Sequence, residues 1–171
     1  MIHDPARHEP LSAQPWSDDR ARAAIVAIVR DTEQQRRPDG AWPVHPRDDE
    51  GENLRTGFKG QYLGSAGVWW ALWWLHRQGA VPLQSDPAAG LRQADADYMA
   101  EPDNGSLEPS YFMGQAGILL ALWLVTRADA VADRLQAVVR ANIHHPANEA
   151  FLGGAGTLRA AWHLARATQQ P

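Results

Sequence analysis

Two carboxylates, Glu108 and Glu149, precede successive glycine-opened apolar runs at loosely comparable places in the chain. Two acids flanking one bond is the arrangement that hydrolyses glycosides, one carboxyl giving a proton while the other attacks or activates water. The placement permits such a site without indicating one. His144 and His145 are adjacent at the end of a predicted helix. Neighbouring side chains on a helix point apart, so no joint metal site is expected, and a helix C-terminus simply favours a cationic imidazole. His76 and His163 fall late in predicted buried helices, where they fit either a core position or the lining of a funnel. Asp48, Asp49, Glu50 and Glu52 crowd one loop. They lack the spacing and closing glutamate of a calcium hand and read as a solvated turn. With no cysteine in the chain, disulfides, a thiolate zinc site and a cysteine nucleophile are all excluded.

The bulk properties narrow the class. A chain of 171 residues with 44% hydrophobic content suits one domain, or one part of a larger one, with a real core. The net charge of -4 and the absence of any long basic cluster give no footprint for nucleic acid or an anionic membrane. The polar, proline-containing start lacks the apolar centre of a signal peptide. The longest apolar run, Ala66 to Leu75, is far short of the roughly 20 residues that span a bilayer. A soluble, cytoplasmic protein is expected.

The elements that must position these groups alternate in kind. Residues 1–16 read as a flexible arm and 17–171 as one helical domain. Ser17 is a predicted N-cap, with Asp18 and Asp19 in the first turn of an amphipathic helix that runs to about Arg36. A long polar connection, 38–61, carries Pro38, Gly40, Pro43, Pro46, Gly51 and Gly57. Amphipathic helices are predicted over 86–100 and 129–143, and apolar inner helices over about 65–78, 115–127 and 154–168. The first inner helix is apolar on nearly every face, which predicts a buried helix. Its Trp69, Trp70, Trp73 and Trp74 read as core and inter-helix packing in preference to an aromatic ligand box. No stretch alternates strictly enough to predict a strand.

Each inner helix opens with the same words: Tyr62-Leu63-Gly64-Ser65-Ala66-Gly67, Phe112-Met113-Gly114-Gln115-Ala116-Gly117 and Phe151-Leu152-Gly153-Gly154-Ala155-Gly156. The match continues, with Ala71, Ala121 and Ala160 four residues after the second glycine and Trp73, Trp123 and Trp162 six after it. Three helical hairpins in register predict a repeat architecture, all-α. Solenoid and closed ring both fit. Glycine at each inner-helix start favours the ring, by removing side chains where helix ends converge and by allowing backbone angles that other residues resist.

These repeats resemble the first three of lanthionine synthetase C-like proteins. Tyr62 to Leu72 is similar to the first, Pro109 to Leu120 to the second and Asn148 to Leu158 to the third, and Asp39-Gly40-Ala41-Trp42-Pro43 is also a family element. The resemblance covers roughly 38–168. It implies an α/α toroid of helical hairpins, of which this chain holds three in an incomplete ring. It implies a role in peptide modification, the closing of thioether rings by adding a cysteine thiol to a dehydrated residue. The family's zinc, which activates that thiol, is bound by two Cys and a His in later repeats. This chain stops after the third repeat and has no Cys, so the chain as given is expected to be the N-terminal half, without zinc and without catalysis of its own. By the same resemblance Glu149, four residues before Gly153, is the candidate catalytic residue for proton transfer to the enolate formed on thiol addition. Its other reading is a carboxylate that caps nearby amides.

Two further functions stand beside this one: a non-catalytic peptide-binding or scaffold module using the concave inner face, and a carbohydrate-active protein of the six-hairpin glycosidase type. Gln35 with Gly40-Ala41-Trp42 also resembles one repeat element of triterpene cyclases, but occurs once. The partners expected are a peptide substrate or partner chain. An open arc leaves an apolar flank, from which self-association is expected.

Overall fold

The computed structural model describes residues 15–45, 48 and 57–168. Among them are six helices and no strand: α1 (Asp18–Gln35), α2 (Ser65–Arg77), α3 (Pro87–Ala100), α4 (Gln115–Thr126), α5 (Asp129–Ala141) and α6 (Gly154–Thr168). None is long and apolar enough to cross a membrane. All six lie within two residues of the sequence expectation. Most of the expected arm, and Asp49, Glu50 and Glu52 of the acidic loop, fall outside the described residues.

The caps explain the starts. Ser17 accepts the Arg20 amide at 3.3 Å, and Asp86 accepts the Ala88 amide at 2.9 Å with Pro87 in the first turn. α2 is stopped by Gly79, two residues past its end, whose φ of +72° lets the Gly79 and Ala80 amides fold back onto the His76 and Leu75 carbonyls.

The helices form two rows. α2 meets α4 and α4 meets α6, while α3 packs on both α2 and α4 and α5 on both α4 and α6. α1 joins through Val29, which is buried with Trp69, Leu72 and Leu91. Its Glu33 carboxylate accepts the Gln84 and Ser85 amides at 3.0 and 3.1 Å. A turn at Gly40 delivers Trp42, whose indole donates to the Thr32 carbonyl at 2.6 Å and meets Trp69 edge-on at 5.1 Å. Outer helices α3 and α5 are joined by Arg134, which grips both Asp95 oxygens at 2.7 and 3.0 Å.

Helix α4 is the centre. Every residue from Ala116 to Trp123 is buried, and they divide between two clusters, one with α2 and α3 and one with α5 and α6. The expectation that α2 is buried all round needs correction. Only Ser65, Ala66, Trp69 and Leu72 are buried there, and Trp74 is 45% exposed. The reason is position: α4 has inner-row neighbours on both sides and α2 on one.

The motif glycines depart from the expectation of unusual backbone angles. Gly64 and Gly114 sit at φ of -117° and -142°, extended backbone open to any residue. Among the described residues, the glycines that use positive φ are Gly40, Gly57, Gly79 and Gly105. Close approach is what the motif requires. A Cβ on Gly67, Gly117 or Gly156 would come within 3.0 Å of the carbonyl oxygen of Gln61, Tyr111 or Ala150 respectively. In each repeat that carbonyl lies six residues earlier. The segment before each inner helix therefore lies flat on the first turn of that helix.

This contact lets the lead-in cap the helix with backbone alone. Neither Gly64 nor Gly114 offers a side-chain cap. The Ser65 and Ala66 amides instead donate to the Phe58 and Lys59 carbonyls at 3.0 and 3.1 Å, and those of Gln115 and Ala116 to Glu108 and Ser110 at 2.8 and 3.1 Å. The first-turn amides that a helix leaves unbonded are thus satisfied.

A matched pair of substitutions tests the contact. Gly117→Ala forces a Cβ into Tyr111 and Gln61 and is expected to lower stability by about 2 kcal/mol. Gly154→Ala, whose nearest neighbour would be the Asn142 oxygen at 3.4 Å, should stay within about 0.5 kcal/mol of the parent. Urea unfolding of both variants measures the difference, and equal midpoints would contradict the close-approach account.

Candidate functional site

The three lead-ins bring their aromatic residues together. Tyr62, Phe112 and Phe151, equivalent in the repeat, meet pairwise at ring-centroid distances of 6.1, 5.1 and 5.3 Å. The Tyr62 amide donates to the Phe112 carbonyl at 3.2 Å, tying the first two lead-ins. Offset and edge-on aromatic contacts of this kind add to the area they bury.

Beside this cluster lies a cleft of about 300 Å³. Trp70 of α2, Leu120 and Leu124 of α4, Arg159 and His163 of α6, and the lead-in residues Gln61 and Tyr111 are among its walls, and no wall residue comes from α1, α3 or α5. The register is regular. Trp70, Leu120 and Arg159 stand three residues after the second motif glycine, and Trp74, Leu124 and His163 seven after it. One helical stripe from each repeat thus faces the cleft side. Trp70 stacks on Trp74 at 6.1 Å and 14°. The stripe is aromatic in the first repeat, aliphatic in the second, and basic in the third.

The polar wall is organised. Burial pushes the Tyr111 pKa up, against the pull of the positive Arg159 guanidinium. Burial, then the positive charges of Arg159 and Arg166, push the His163 pKa below its usual 6.5, so the ring is neutral at pH 7. Gln61 contributes a carbonyl oxygen, Oε1, that is buried with no hydrogen-bond partner among the described residues. The cleft therefore offers an aromatic face, a cation and a free acceptor.

Behind the first lead-in sits a buried ion pair that the sequence did not reveal. Asp103 accepts the Lys59 amide at 2.9 Å and the Gly60 amide at 2.7 Å. The Lys59 ammonium, itself buried, lies 3.5 Å from Asp103 and 3.4 Å from Glu101. Burial pushes the Asp103 carboxyl above its ordinary pKa, against the pull of those amides and that ammonium. A buried pair so satisfied positions the chain, and here it fixes the loop that carries Gln61 and Tyr62. A lone lysine and a loop aspartate 44 residues apart show no local pattern.

The sequence-expected residues fall in different places. Neither Glu108 nor Glu149 lines the cleft. Glu149 is exposed, and its carboxylate accepts the Phe151, Leu152 and Gly153 amides at 2.6, 2.8 and 3.1 Å. Those amides, Leu152 first, hold its pKa below the ordinary 4.5. Glu108 accepts the Ser106 hydroxyl at 2.9 Å, and its amide donates to the Tyr98 hydroxyl at 3.0 Å. Burial raises the pKa of that Tyr98 hydroxyl to about 12. His144 and His145 lie beyond α5, which ends at Ala141, and the His145 ring accepts the Ala147 amide at 3.2 Å. Their expected role at the helix terminus therefore gives way to a turn contact. His76 is exposed and bonds the Val81 carbonyl at 3.1 Å. Of the histidines, His163 alone among the four named lines the cleft. Arg159 was missed, although its register with Trp70 and Leu120 was a readable signal.

The zinc that the resemblance to lanthionine synthetase C-like proteins brings to mind does not fit the residues present. The chain has no cysteine, and no group of three or more His, Cys, Asp or Glu able to hold a metal occurs among the described residues.

The Glu149 geometry has a pH consequence. A carboxylate favoured by three amides contributes stability that is present above pH 4.5 and is lost as pH falls through its depressed folded value. Carboxyl-detected NMR titration should give a midpoint below 4.5 for Glu149. A midpoint at or above that value would contradict the three-amide cap.

Against models of protein families, curated proteins and solved structures, no match is found for this chain.

Proposed function

We propose that this chain is a peptide-binding scaffold, three hairpins of a lanthionine synthetase C-like α/α ring, with the inner helices α2, α4 and α6 lining its concave side. The family likeness rests on the three motif segments themselves. The observation that carries the binding role is the cleft stripe, aromatic at Trp70 and cationic at Arg159, with Gln61 Oε1 as an acceptor without partner. Peptides combine the three matching features: an apolar side chain, a carboxylate, and backbone N–H groups. Arg159 recognises the carboxylate, Trp70 and Leu120 bury the apolar group, and Gln61 accepts an amide proton.

Thioether chemistry is the family's, and this chain's residues lack the thiolate donors for its zinc. No step through that metal is assigned to it. Glu149, ionised and engaged by three amides, has no proton to give an enolate. In this reading its amide contacts keep the Phe151 lead-in in place, and any proton transfer is secondary.

Calorimetric titration with short peptides that set an acidic residue beside an aromatic one tests the reading, using peptides with the acid replaced by its amide as controls. The acidic peptides are expected to bind, and Arg159→Ala should weaken them about tenfold, or roughly 1.4 kcal/mol. Leu107→Ala, on an exposed loop, should change nothing. Equal affinity for the amide controls, or no effect of Arg159→Ala, would sink the proposal.

A further inference from the structure

The cleft carries one permanent cation, Arg159, and one titrating base, His163. They stand four residues apart on α6. That is about one turn, so both project to the same side with Cβ atoms roughly 5–6 Å apart. No Asp or Glu is among the wall residues. The ion pairs found among the described residues engage Arg37, Lys59 and Arg134, and Arg159 is in none of them. The wall supplies positive charge and no carboxylate to balance it.

His163 is half-buried in this wall. Its ring meets Trp162 edge-on at 4.8 Å and 72°, and no hydrogen bond engages its nitrogens among the described residues. The charges that act on it come from its own helix, Arg159 and Arg166. Arg166 lies over the Trp162 ring at 5.2 Å. Across the cleft α4 presents Leu120 and Leu124, α2 presents Trp70, and the lead-ins present Gln61 and Tyr111. None of these is a carboxylate or a cation. α5 also packs on α6. It places Arg140 in a separate groove beside Trp162 and no residue in the cleft.

A proton on His163 therefore meets two like charges, no opposite one, and partial burial, and all three oppose it. A ligand carboxylate on Arg159 reverses the balance. It cancels the repulsion from Arg159 and offers the imidazolium an acceptor about one helical turn away.

We propose that His163 is the second anchor of the cleft, taking a proton from water as an acidic side chain of the peptide docks on Arg159, so that the carboxylate is held between a guanidinium and an imidazolium. This rests on the peptide-binding reading of the same cleft and adds its response to pH. The complex holds more protons than the free chain, so affinity rises as pH falls. The rise begins near the pKa of the bound ring and levels off at that of the free ring, which lies below 6.5. An ordinary Asp or Glu side chain, with a pKa of about 4, stays ionised through most of that range.

Calorimetry with an acidic–aromatic peptide, N-acetylated, C-amidated and free of histidine, counts the protons taken up when it is run in two buffers of different ionisation heat. Net uptake of a fraction of a proton is expected at about pH 6. From about pH 7.5 to about pH 5.5 affinity should rise about threefold or more, since each whole proton taken up is worth tenfold per pH unit. Ring-proton NMR should show His163 titrating below 6.5 in the free chain and at a higher pH with peptide bound. His163→Gln should abolish both the uptake and the rise. Arg166→Gln, outside the cleft wall, removes one repulsion, so the free His163 ring should titrate higher than in the parent. Peptide binding without proton uptake, or with an unmoved His163 midpoint, would overturn this inference and leave the peptide reading standing. No binding of the acidic peptide at any pH would overturn both.

Discussion

The contact on which this structure depends is a backbone oxygen lying where a Cβ would be. In each repeat a carbonyl six residues ahead of the second motif glycine presses on that glycine. Nothing larger fits without moving backbone, and in the first two repeats moving backbone there removes the bonds that cap the helix. The contact therefore joins two tasks. It satisfies first-turn amides that side chains leave unbonded, and it sets the angle at which each lead-in arrives. The convergence of Tyr62, Phe112 and Phe151 follows from that shared angle, since equivalent lead-ins carry equivalent aromatics to one place.

Register does the rest. Once each inner helix is seated by its glycine, its side chains divide by spacing. In the second repeat Leu120 and Leu124 line the cleft, Leu119 and Trp123 pack with Leu135 of α5, and Ala121 is buried in the cluster that α4 shares with α2. A further device recurs: Arg77, Arg127 and Arg166 each lie over the tryptophan four residues earlier, at 5.3, 4.4 and 5.2 Å from the ring centroid. These cation–π contacts cover the tryptophan face at the far end of each inner helix. The cleft stripe and the inter-helix packing are thus two outcomes of one repeat, read at different positions.

Much of this was legible in the sequence because it is local or periodic. The cap at Ser17 and the 3.6-residue pattern placed the outer helices, and the recurrence of Gly-x-Ala-Gly placed the inner row. What depends on neighbours was not legible. The apolar composition of α2 predicts burial, but burial needs a helix on both flanks, and α4 alone has two inner-row neighbours. The glycines signalled a constraint whose kind, close approach and not unusual φ, only the fold distinguishes. Lys59 and Asp103 meet across 44 residues of chain and share no motif. Glu149 stood out by its place before a repeat, and its place serves the lead-in: three amides hold it. Arg159 was hidden because the third repeat changes the chemistry of the cleft stripe while keeping its spacing.

Native-state hydrogen exchange at Ala66 and Ala116 tests the central claim most directly. These second-residue amides would be unbonded in an ordinary helix start, and here they donate to the Lys59 and Ser110 carbonyls at 3.1 Å. If glycine-seated lead-ins cap the inner helices, both amides exchange as slowly as Leu119 and Leu120 in the middle of α4, opening only with the whole fold. Exchange at the rate of a fraying helix end, while the middle of α4 stays protected, would contradict the account.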